Sequence, residues 1–321
     1  MSGTNRGMTA AVGNRPRSNV RSIAAKRRRR PRRGEEGSLW MFLLPSGLLL
    51  SAVMLFPLGY ALFLSLHNYD LGSGANAFIG LDNYGALLVD ERLWASLLRT
   101  LGIAAASVGL EFITGLLVAY GLYLLTRGVK TFNLLLFLPS VITPVVAGLF
   151  LKWMFMGRWG LIDNVMLSLD FFTIDWLGSP IWARVTIVLA DAWQHTPFII
   201  LVMYAGLNTV DQSQIEAAKL EGAGAWTILF RIMLPSIKAL ILFVLVIRVM
   251  DVFRLFDLVY VLTAGGPGTA TETVTMYTYT LAFRLLQIGK ASALGVMTMI
   301  ALAALTACVV AVLYRKEKGE I

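Results

Sequence analysis

Residues 40–66 read WMFLLPSGLLLSAVMLFPLGYALFLSL, an apolar run without a charged side chain. As an α-helix this run would be about 40 Å long, enough to cross the hydrocarbon core of a bilayer. Pro45 and Pro57 predict kinks within that helix. Because a cleavable secretory signal has a shorter apolar core, the run predicts a retained membrane span.

Further apolar runs indicate that the whole chain is a membrane protein. Of its 321 residues 57% are hydrophobic and 15% are charged, with a mean hydropathy of +0.70, whereas about 25% of residues are charged in a soluble domain. Only helices satisfy their own backbone groups in single segments within lipid. The sequence therefore predicts an all-α polytopic protein with six transmembrane helices, the later five at about 101–125, 132–150, 181–206, 237–262 and 291–314.

The basic charge is concentrated before the first span. Residues 1–33 contain 11 of the 28 Lys and Arg residues and no acidic residue, which leaves the rest nearly neutral. With six spans, both termini lie on the same side of the membrane. The tail and the other segments on that side carry 19 basic residues, and the segments on the opposite side carry 7. This bias predicts cytoplasmic termini, and it favours a topogenic or anionic-lipid role for the tail over nucleic-acid binding. We expect a tail without fixed structure at 1–38, a six-span domain at 39–316 and a cytoplasmic end at 317–321.

Residue types needed for most enzyme chemistry are scarce. Cys308 is the single cysteine, and His67 and His195 are the two histidines, so no pair has metal-ligand spacing. The sequence contains no G-x-x-x-x-G-K-[ST] phosphate loop and no recognisable nucleophile with its base. We expect no catalytic residue, no metal and no cofactor bound by this chain, and an intramembrane enzyme is disfavoured.

A loop at about 208–236, between the fourth and fifth predicted spans, is long enough to indicate a function. Its core, residues 216–235, reads EAAKLEGAGAWTILFRIMLP. Ser213 and Glu216 match a capping box and predict a first helix over 211–221.

The second half of this loop predicts another short helix. Gly222 and Gly224 break the first one, and Trp226, Leu229, Phe230 and Met233 then recur at helical spacing until Pro235. Two short helices bent at a glycine predict a protruding knob.

The loop resembles the EAA loop of ABC-importer permeases. Seven signature positions match that motif: Glu216, Ala217, Ala218, Gly222, Ile232, Leu234 and Pro235. Glu221 stands where the carbohydrate branch usually has aspartate before the glycine. Three other segments resemble the same branch, which includes maltose and glycerol-3-phosphate permeases: FIGLDNY at 78–84, LPSVITPVVAG at 138–148 and FDLVYVLTAGGPG at 256–268.

This resemblance implies a multi-pass subunit in the inner or plasma membrane of a bacterium or archaeon. Its implied partners are a second homologous permease, two ABC ATPase copies that hold ATP and Mg²⁺, and an extracytoplasmic solute-binding protein that delivers a carbohydrate. The loop would dock in an ATPase as a coupling helix, with Glu216 accepting charge-assisted hydrogen bonds, although Glu216 could also be only a capping residue. A glycerol-phosphate-type importer and an ATP-independent channel or secondary transporter are the alternatives.

Charged residues within the fifth predicted span form the second candidate site. Arg248, Asp251, Arg254 and Asp257 follow one another at three-residue intervals, so opposite charges would be neighbours on a helix. Such residues avoid lipid, which leaves either a structural ion-pair ladder that gates the protein or direct solute contact.

Three further residues within spans are of interest. Trp193 and Gln194, before Pro197, are weaker candidates for a translocation path, with packing between helices as an equal alternative. Glu111 is an acid in the second span without a partner nearby in sequence.

Overall fold

The computed structural model describes residues 33–125 and 127–317. The chain divides into two compact units, residues 1–57 and residues 58–321. Helix α1 spans Arg33–Ser65 and contains Pro45 and Pro57. It begins before the predicted end of the N-terminal tail at residue 38, and residues 1–32 of that tail, like 318–321, lie outside the described residues.

After α1 the chain forms one small hairpin and a series of helices. Strands β1, His67–Asp70, and β2, Ala75–Phe78, pair antiparallel with His67 opposite Phe78. The helices that follow are α2 Asp82–Leu88, α3 Glu91–Leu124, α4 Val129–Val141, α5 Pro144–Met154, α6 Leu161–Ser168, α7 Pro180–Leu207, α8 Gln212–Leu220, α9 Ala225–Ile228, α10 Leu234–Ser236, α11 Lys238–Phe253, α12 Asp257–Thr263, α13 Val274–Tyr279 and α14 Ile288–Glu317. Residues Leu229–Met233 and Thr280–Arg284 are π-helical.

The described helices confirm the all-α polytopic prediction. Four helical segments are long and apolar enough to cross a membrane: Leu43–Ser65, Glu91–Leu124, Pro180–Leu207 and Ile288–Cys308. Two further pairs meet the same criterion together but are sharply bent, by 92° between α4 and α5 and by 76° between Ala225–Ser236 and α11. Six spans result when each bent pair is counted as one.

The third predicted span, 132–150, is not one straight helix. Proline 144 opens α5, and Ile142 and Thr143 before it are extended, with ψ angles of 133° and 142°. A proline disfavours the helical conformation in the residue that precedes it, which accounts for the extended Thr143 at this break.

The fifth predicted span, 237–262, also differs from the prediction. Helix α11 ends at Phe253, and α12 begins only at Asp257. Arg254 therefore lies in the break, so the predicted ladder of four charges on one helix is wrong.

Helices α3 and α7 form the centre of the second unit and approach closely at a glycine. A Cβ atom on Gly115 would lie 2.7 Å from Ile199 Cγ2 and 3.0 Å from Ile199 Cβ. Small residues permit such contacts between membrane helices. Buried residues on both sides, among them Leu116, Ala119 and Met203, continue this core.

We expect Gly115→Ala to destabilise the folded chain by about 1–3 kcal/mol, because the new methyl group overpacks the contact with Ile199. Gly121, in the same helix, has no atom within 4 Å of an added Cβ. Gly121→Ala should therefore stabilise the chain slightly, by about 0.5–1 kcal/mol. Thermal unfolding of the purified variants measures both, and equal effects at the two glycines would contradict the close approach.

The segment after α12 is anchored by buried polar groups. Glu272 is buried and accepts two hydrogen bonds from Arg92, from Nε at 2.8 Å and from Nη2 at 2.7 Å. Nearby, Asp90 accepts hydrogen bonds from Tyr277 at 2.6 Å and Lys290 at 3.1 Å. Burial favours a raised pKa for Asp90, but these bonds outweigh it and hold the pKa below its ordinary value. These contacts fix α13 against the start of α3.

Candidate functional site

Helix α8 opens the loop that the sequence identified, but its cap differs from the prediction. Asp211 is the N-cap residue, and its carboxylate accepts a hydrogen bond from the Ser213 backbone N–H at 2.9 Å. This bond lowers the pKa of Asp211. The predicted capping box with Ser213 as N-cap is therefore wrong. Asp211, which is also a favoured N-cap residue, takes that position instead. Glu216 lies in the middle of α8 and is exposed.

Gly222 ends α8 in a Schellman motif. Its φ of +81° places it in the left-handed region. Its N–H donates to the Lys219 carbonyl at 3.0 Å, and the Ala223 N–H donates to the Ala218 carbonyl at 2.9 Å. This pair of bonds defines the motif, and glycine is the residue that adopts its left-handed position without strain. The predicted break at Gly222 is present.

The second half of the loop is a helix over Ala225–Ser236 with a π-helical middle. Its buried side chains are Ile228, Leu229 and Met233, whereas Trp226 and Phe230 are more than half exposed. Of the four residues of the predicted apolar face, Leu229 and Met233 are thus buried, and Trp226 and Phe230 are exposed. Trp226 and Phe230 stack on each other with ring centroids 6.0 Å apart, outside the core.

The loop is fixed to the ends of α3 and α7. The Tyr120 hydroxyl donates to the Ala225 carbonyl at 3.3 Å, and Gln212 Nε2 donates to the Tyr123 hydroxyl at 3.1 Å. One apolar cluster joins the three elements: Leu116, Ala119, Tyr120 and Leu122 of α3, Ile199, Ile200, Met203 and Leu207 of α7, and Val210, Ile215, Ile228, Leu229, Met233 and Ile237 of the loop region. The two short helices therefore form a packed knob, residues 211–236, and we call it the coupling knob.

The outer surface of the coupling knob carries small and apolar residues together with charged ones, among them Glu216. Glu216, Ala217, Gly222 and Pro235 are exposed, whereas Ala218, Ile232 and Leu234 are half-buried. Leu220 is 90% exposed, and the rings of Trp226 and Phe230, later in the loop, are also more than half exposed. Exposed apolar side chains of this size on a polar loop are typical of a protein-binding surface.

A buried ion cluster joins three spans at the second candidate site. Arg248 of α11 donates to both carboxylate oxygens of Glu111 of α3, at 2.7 and 2.8 Å. The same guanidinium contacts Asp191 of α7 at 3.2 Å and Asp251 at 3.3 Å. Arg248, Glu111 and Asp191 are each at most 1% exposed, so the pairs are fully desolvated. Such pairs hold their helices together, because separating them would leave buried charges without a partner.

The ion cluster borders a polar cavity of about 310 Å³. His195 also reaches it, with Nδ1 3.0 Å from Asp191 Oδ1. Ten residues line the cavity: Pro144, Asp191, His195, Arg248, Asp251, Arg254, Leu255, Phe256, Asp257 and Leu258. Among them are three carboxylates and two guanidinium groups. All four charged residues predicted from the fifth span thus line one cavity. Among these four, the ion pair that the structure shows is between Arg248 and Asp251.

The other predicted path residues lie elsewhere. Trp193 lines a separate, largely apolar groove between α3, α4 and α7. Gln194 is buried, and its Nε2 donates to the Ile142 carbonyl at 2.9 Å, at the break between α4 and α5. Its backbone carbonyl accepts from the Ser140 hydroxyl at 2.8 Å. Gln194 therefore stabilises the bent span, and neither residue is among those lining the polar cavity.

Sequence reasoning missed the partner of Glu111 and the role of Asp191. Glu111 and Arg248 are 137 positions apart, so helical spacing could not pair them. The available signal was an unpaired acid in each of two apolar spans and an arginine in a third. Glu111, Asp191 and His195 are also close enough to share a metal ion. Arg248 nevertheless bonds both oxygens of Glu111, so this set does not fit a cation.

Comparison with known proteins identifies the family. The family described as the binding-protein-dependent transport system inner membrane component matches residues 111–317, which include the coupling knob and the polar cavity. The chain belongs to this family.

Relatives from three organisms share about a third of their residues with this family member. It is 34% identical to the sulfoquinovosyl glycerol transport system permease protein SmoG of Agrobacterium fabrum over 86% of this chain and 88% of that protein. The trehalose transport system permease protein SugA of Mycobacterium tuberculosis is 34% identical over 83% and 85% of the two chains. The trehalose/maltose transport system permease protein MalF of Thermococcus litoralis is 31% identical over 81% and 88%.

A solved structure shares the fold of this family member. It is a bacterial ABC transporter involved in the import of the acidic polysaccharide alginate, and one of its chains superimposes with a TM-score of 0.75. The match covers 88% of this chain and 96% of that chain at 20% identity, so it is a likeness of fold.

Proposed function

We propose that this permease is a transmembrane subunit of an ATP-driven importer that moves a neutral carbohydrate into the cell. A solute-binding protein delivers the carbohydrate from outside, and a second, homologous permease completes the pathway. Two ABC ATPases bind ATP and Mg²⁺ on the cytoplasmic side, where the coupling knob and both chain termini lie. Family membership and the permease names of the relatives support the part of this proposal that makes the solute a carbohydrate and the protein an importer subunit.

The observation that carries the proposal is the surface of the coupling knob. An exposed carboxylate, Glu216, stands beside Ala217, which has almost no side-chain bulk, on a helix whose end is fixed by Gly222. A basic ATPase side chain can approach this carboxylate closely, and the exposed rings of Trp226 and Phe230 supply apolar contact. Because the knob is packed onto α3 and α7, ATPase movement reaches the spans.

The charges of the polar cavity favour a neutral solute. Three carboxylates face two guanidinium groups there. Carboxylates accept hydrogen bonds from sugar hydroxyl groups, and they repel the phosphate of a glycerol phosphate. The glycerol-phosphate alternative is therefore the weaker one.

Co-purification from native membranes tests the proposal. The tagged wild-type chain should bring down a second permease and an ATPase, and in liposomes with the binding protein it should take up a labelled sugar only with ATP. The sugars to be compared are trehalose, maltose and lactose, with glycerol 3-phosphate as the anionic probe. We expect Glu216→Ala to reduce ATP-dependent uptake about tenfold, the loss of one charge-assisted hydrogen bond.

Gln214→Ala is the matched control, because Gln214 is exposed on the same helix and its side chain makes no hydrogen bond among the described residues. It should leave uptake unchanged. A wild-type chain that purifies alone and transports without ATP would overturn the proposal and support a channel or secondary transporter.

A further inference from the structure

Four aromatic rings form a continuous ladder beside the polar cavity. Phe256 and Tyr260 of the α12 region stack with centroids 5.3 Å apart and an interplanar angle of 23°. Both contact Tyr279 of α13, at 5.1 and 5.2 Å. Tyr279 in turn contacts Phe283 at 5.0 Å. We call these four residues the aromatic ladder.

The aromatic ladder leads from the polar cavity to an exposed end. Phe256 is half-buried and lines the cavity itself. Tyr260 is 40% exposed and Phe283 is 68% exposed, so the outer rings present their surface rather than filling a core. The four rings therefore run from the charged lining, where Phe256 lies, to the exposed ring of Phe283.

Hydrogen-bonding groups flank the rings. Arg254 and Asp257 lie on either side of Phe256 in the chain, both are exposed, and neither forms an ion pair with any residue that the structure describes. Arg284 follows Phe283 and is also exposed. Apolar rings next to such charged groups match a ligand with one apolar face and many hydroxyl groups.

We propose that the aromatic ladder is a sugar-binding track, on which the apolar faces of pyranose rings stack as the carbohydrate enters the polar cavity. This inference rests on the proposed function, and it assigns solute contact to rings outside the charged lining. A lipid tail fits the arrangement less well, because the ladder ends among three carboxylates and two guanidinium groups.

The anchoring of α13 keeps the track in place. Tyr277, two residues before Tyr279, donates to Asp90, and Thr280 donates to the Met276 carbonyl at 3.0 Å. Thr273 caps the start of α13 through a bond from the Met276 N–H at 3.2 Å. The backbone that carries Tyr279 is therefore held in place, which reduces the entropy lost when a sugar binds to its ring.

The test uses the importer assembled with its second permease, ATPases and binding protein in liposomes. The probe is whichever of labelled trehalose, maltose and lactose the wild type takes up. Tyr260→Leu and Phe283→Leu should each reduce uptake at low sugar about fivefold, and the double variant about twentyfold, as expected for lost ring contacts. Tyr260→Phe and Phe283→Tyr keep the rings and should retain uptake.

Two controls separate a sugar track from a packing role. Phe172 is 74% exposed in another loop, and Phe172→Leu should transport like the wild type. Recovery of the second permease and ATP hydrolysis stimulated by the loaded binding protein should be unchanged in the Leu variants, because the rings contact sugar and not a subunit.

Each adverse outcome has a distinct meaning. Unchanged uptake in the ring-free variants, or loss of the second permease from them, would overturn the sugar track while leaving the importer function standing. Absence of ATP-dependent uptake of all three sugars by the wild type would instead overturn the proposed function, and this inference with it.

Discussion

Replacing Arg248 by methionine should destabilise the folded chain by about 3–5 kcal/mol, the usual cost of removing one partner from a buried ion pair. The substitution keeps an unbranched apolar stem but removes the guanidinium that neutralises Glu111 and Asp191, at 0% and 1% exposure, and leaves Asp191 with His195 alone. Thermal unfolding in detergent and protease resistance in membranes both measure the loss.

Arg254→Met is the matched control for Arg248→Met. Arg254 is an exposed arginine that lines the same cavity and forms no ion pair among the described residues, so its loss should change stability by less than about 0.5 kcal/mol. Adding Glu111→Gln to Arg248→Met should recover part of the stability, because one of the unpaired charges is then removed. An Arg248→Met chain as stable as the wild type would show that the cluster does not hold the three spans together.

Gly222→Pro should abolish ATP-driven uptake while leaving the membrane spans folded. Proline fixes φ near −65°, whereas Gly222 has a φ of +81°, and proline also removes the N–H that donates to Lys219. The end of α8 must then rearrange, which moves Glu216 away from its position on the coupling knob. Uptake in liposomes and recovery of the ATPase on the tagged chain measure this effect.

Gly222→Asn is the control that distinguishes conformation from residue identity. Asparagine tolerates the left-handed region better than other residues with a side chain, and no atom lies within 4 Å of a Cβ at this position. Uptake should therefore remain close to that of the wild type. Full uptake by Gly222→Pro would show that the bend has no part in coupling.

Much of the fold could be predicted from the sequence, because membrane spans depend on local apolar length. The breaks were less accessible. Pro144 carried a signal for the bend after Val141, since proline constrains its neighbour, yet the apolar run continued through it. The end of α11 at Phe253 has no such marker, and a helical spacing of charges suggested continuity that the chain does not have.

The coupling knob was predictable for a different reason from the ion cluster. Its bend depends on Gly222 and the residues beside it, so a local motif sufficed. The ion cluster depends on α3, α7 and α11 meeting in space, and no local rule pairs Glu111 with Arg248. The choice of Asp211 over Ser213 as the N-cap shows a third limit, because both residue types cap helices well and the fold decides between them.

Helices α3 and α7 connect the coupling knob to the ion cluster. Tyr120 touches the knob, and Glu111, nine residues earlier in α3, holds Arg248. On a straight helix these positions are separated by about 14 Å. Helix α7 makes the same two connections: Met203 belongs to the apolar cluster of the knob, and Asp191 belongs to the ion cluster. Because close-packed helices transmit strain, movement of the knob in the proposed importer would reach the carboxylates of Glu111 and Asp191 beside Arg248. In the proposed importer, the ATPase contact and the polar cavity are therefore connected through the same two helices, α3 and α7.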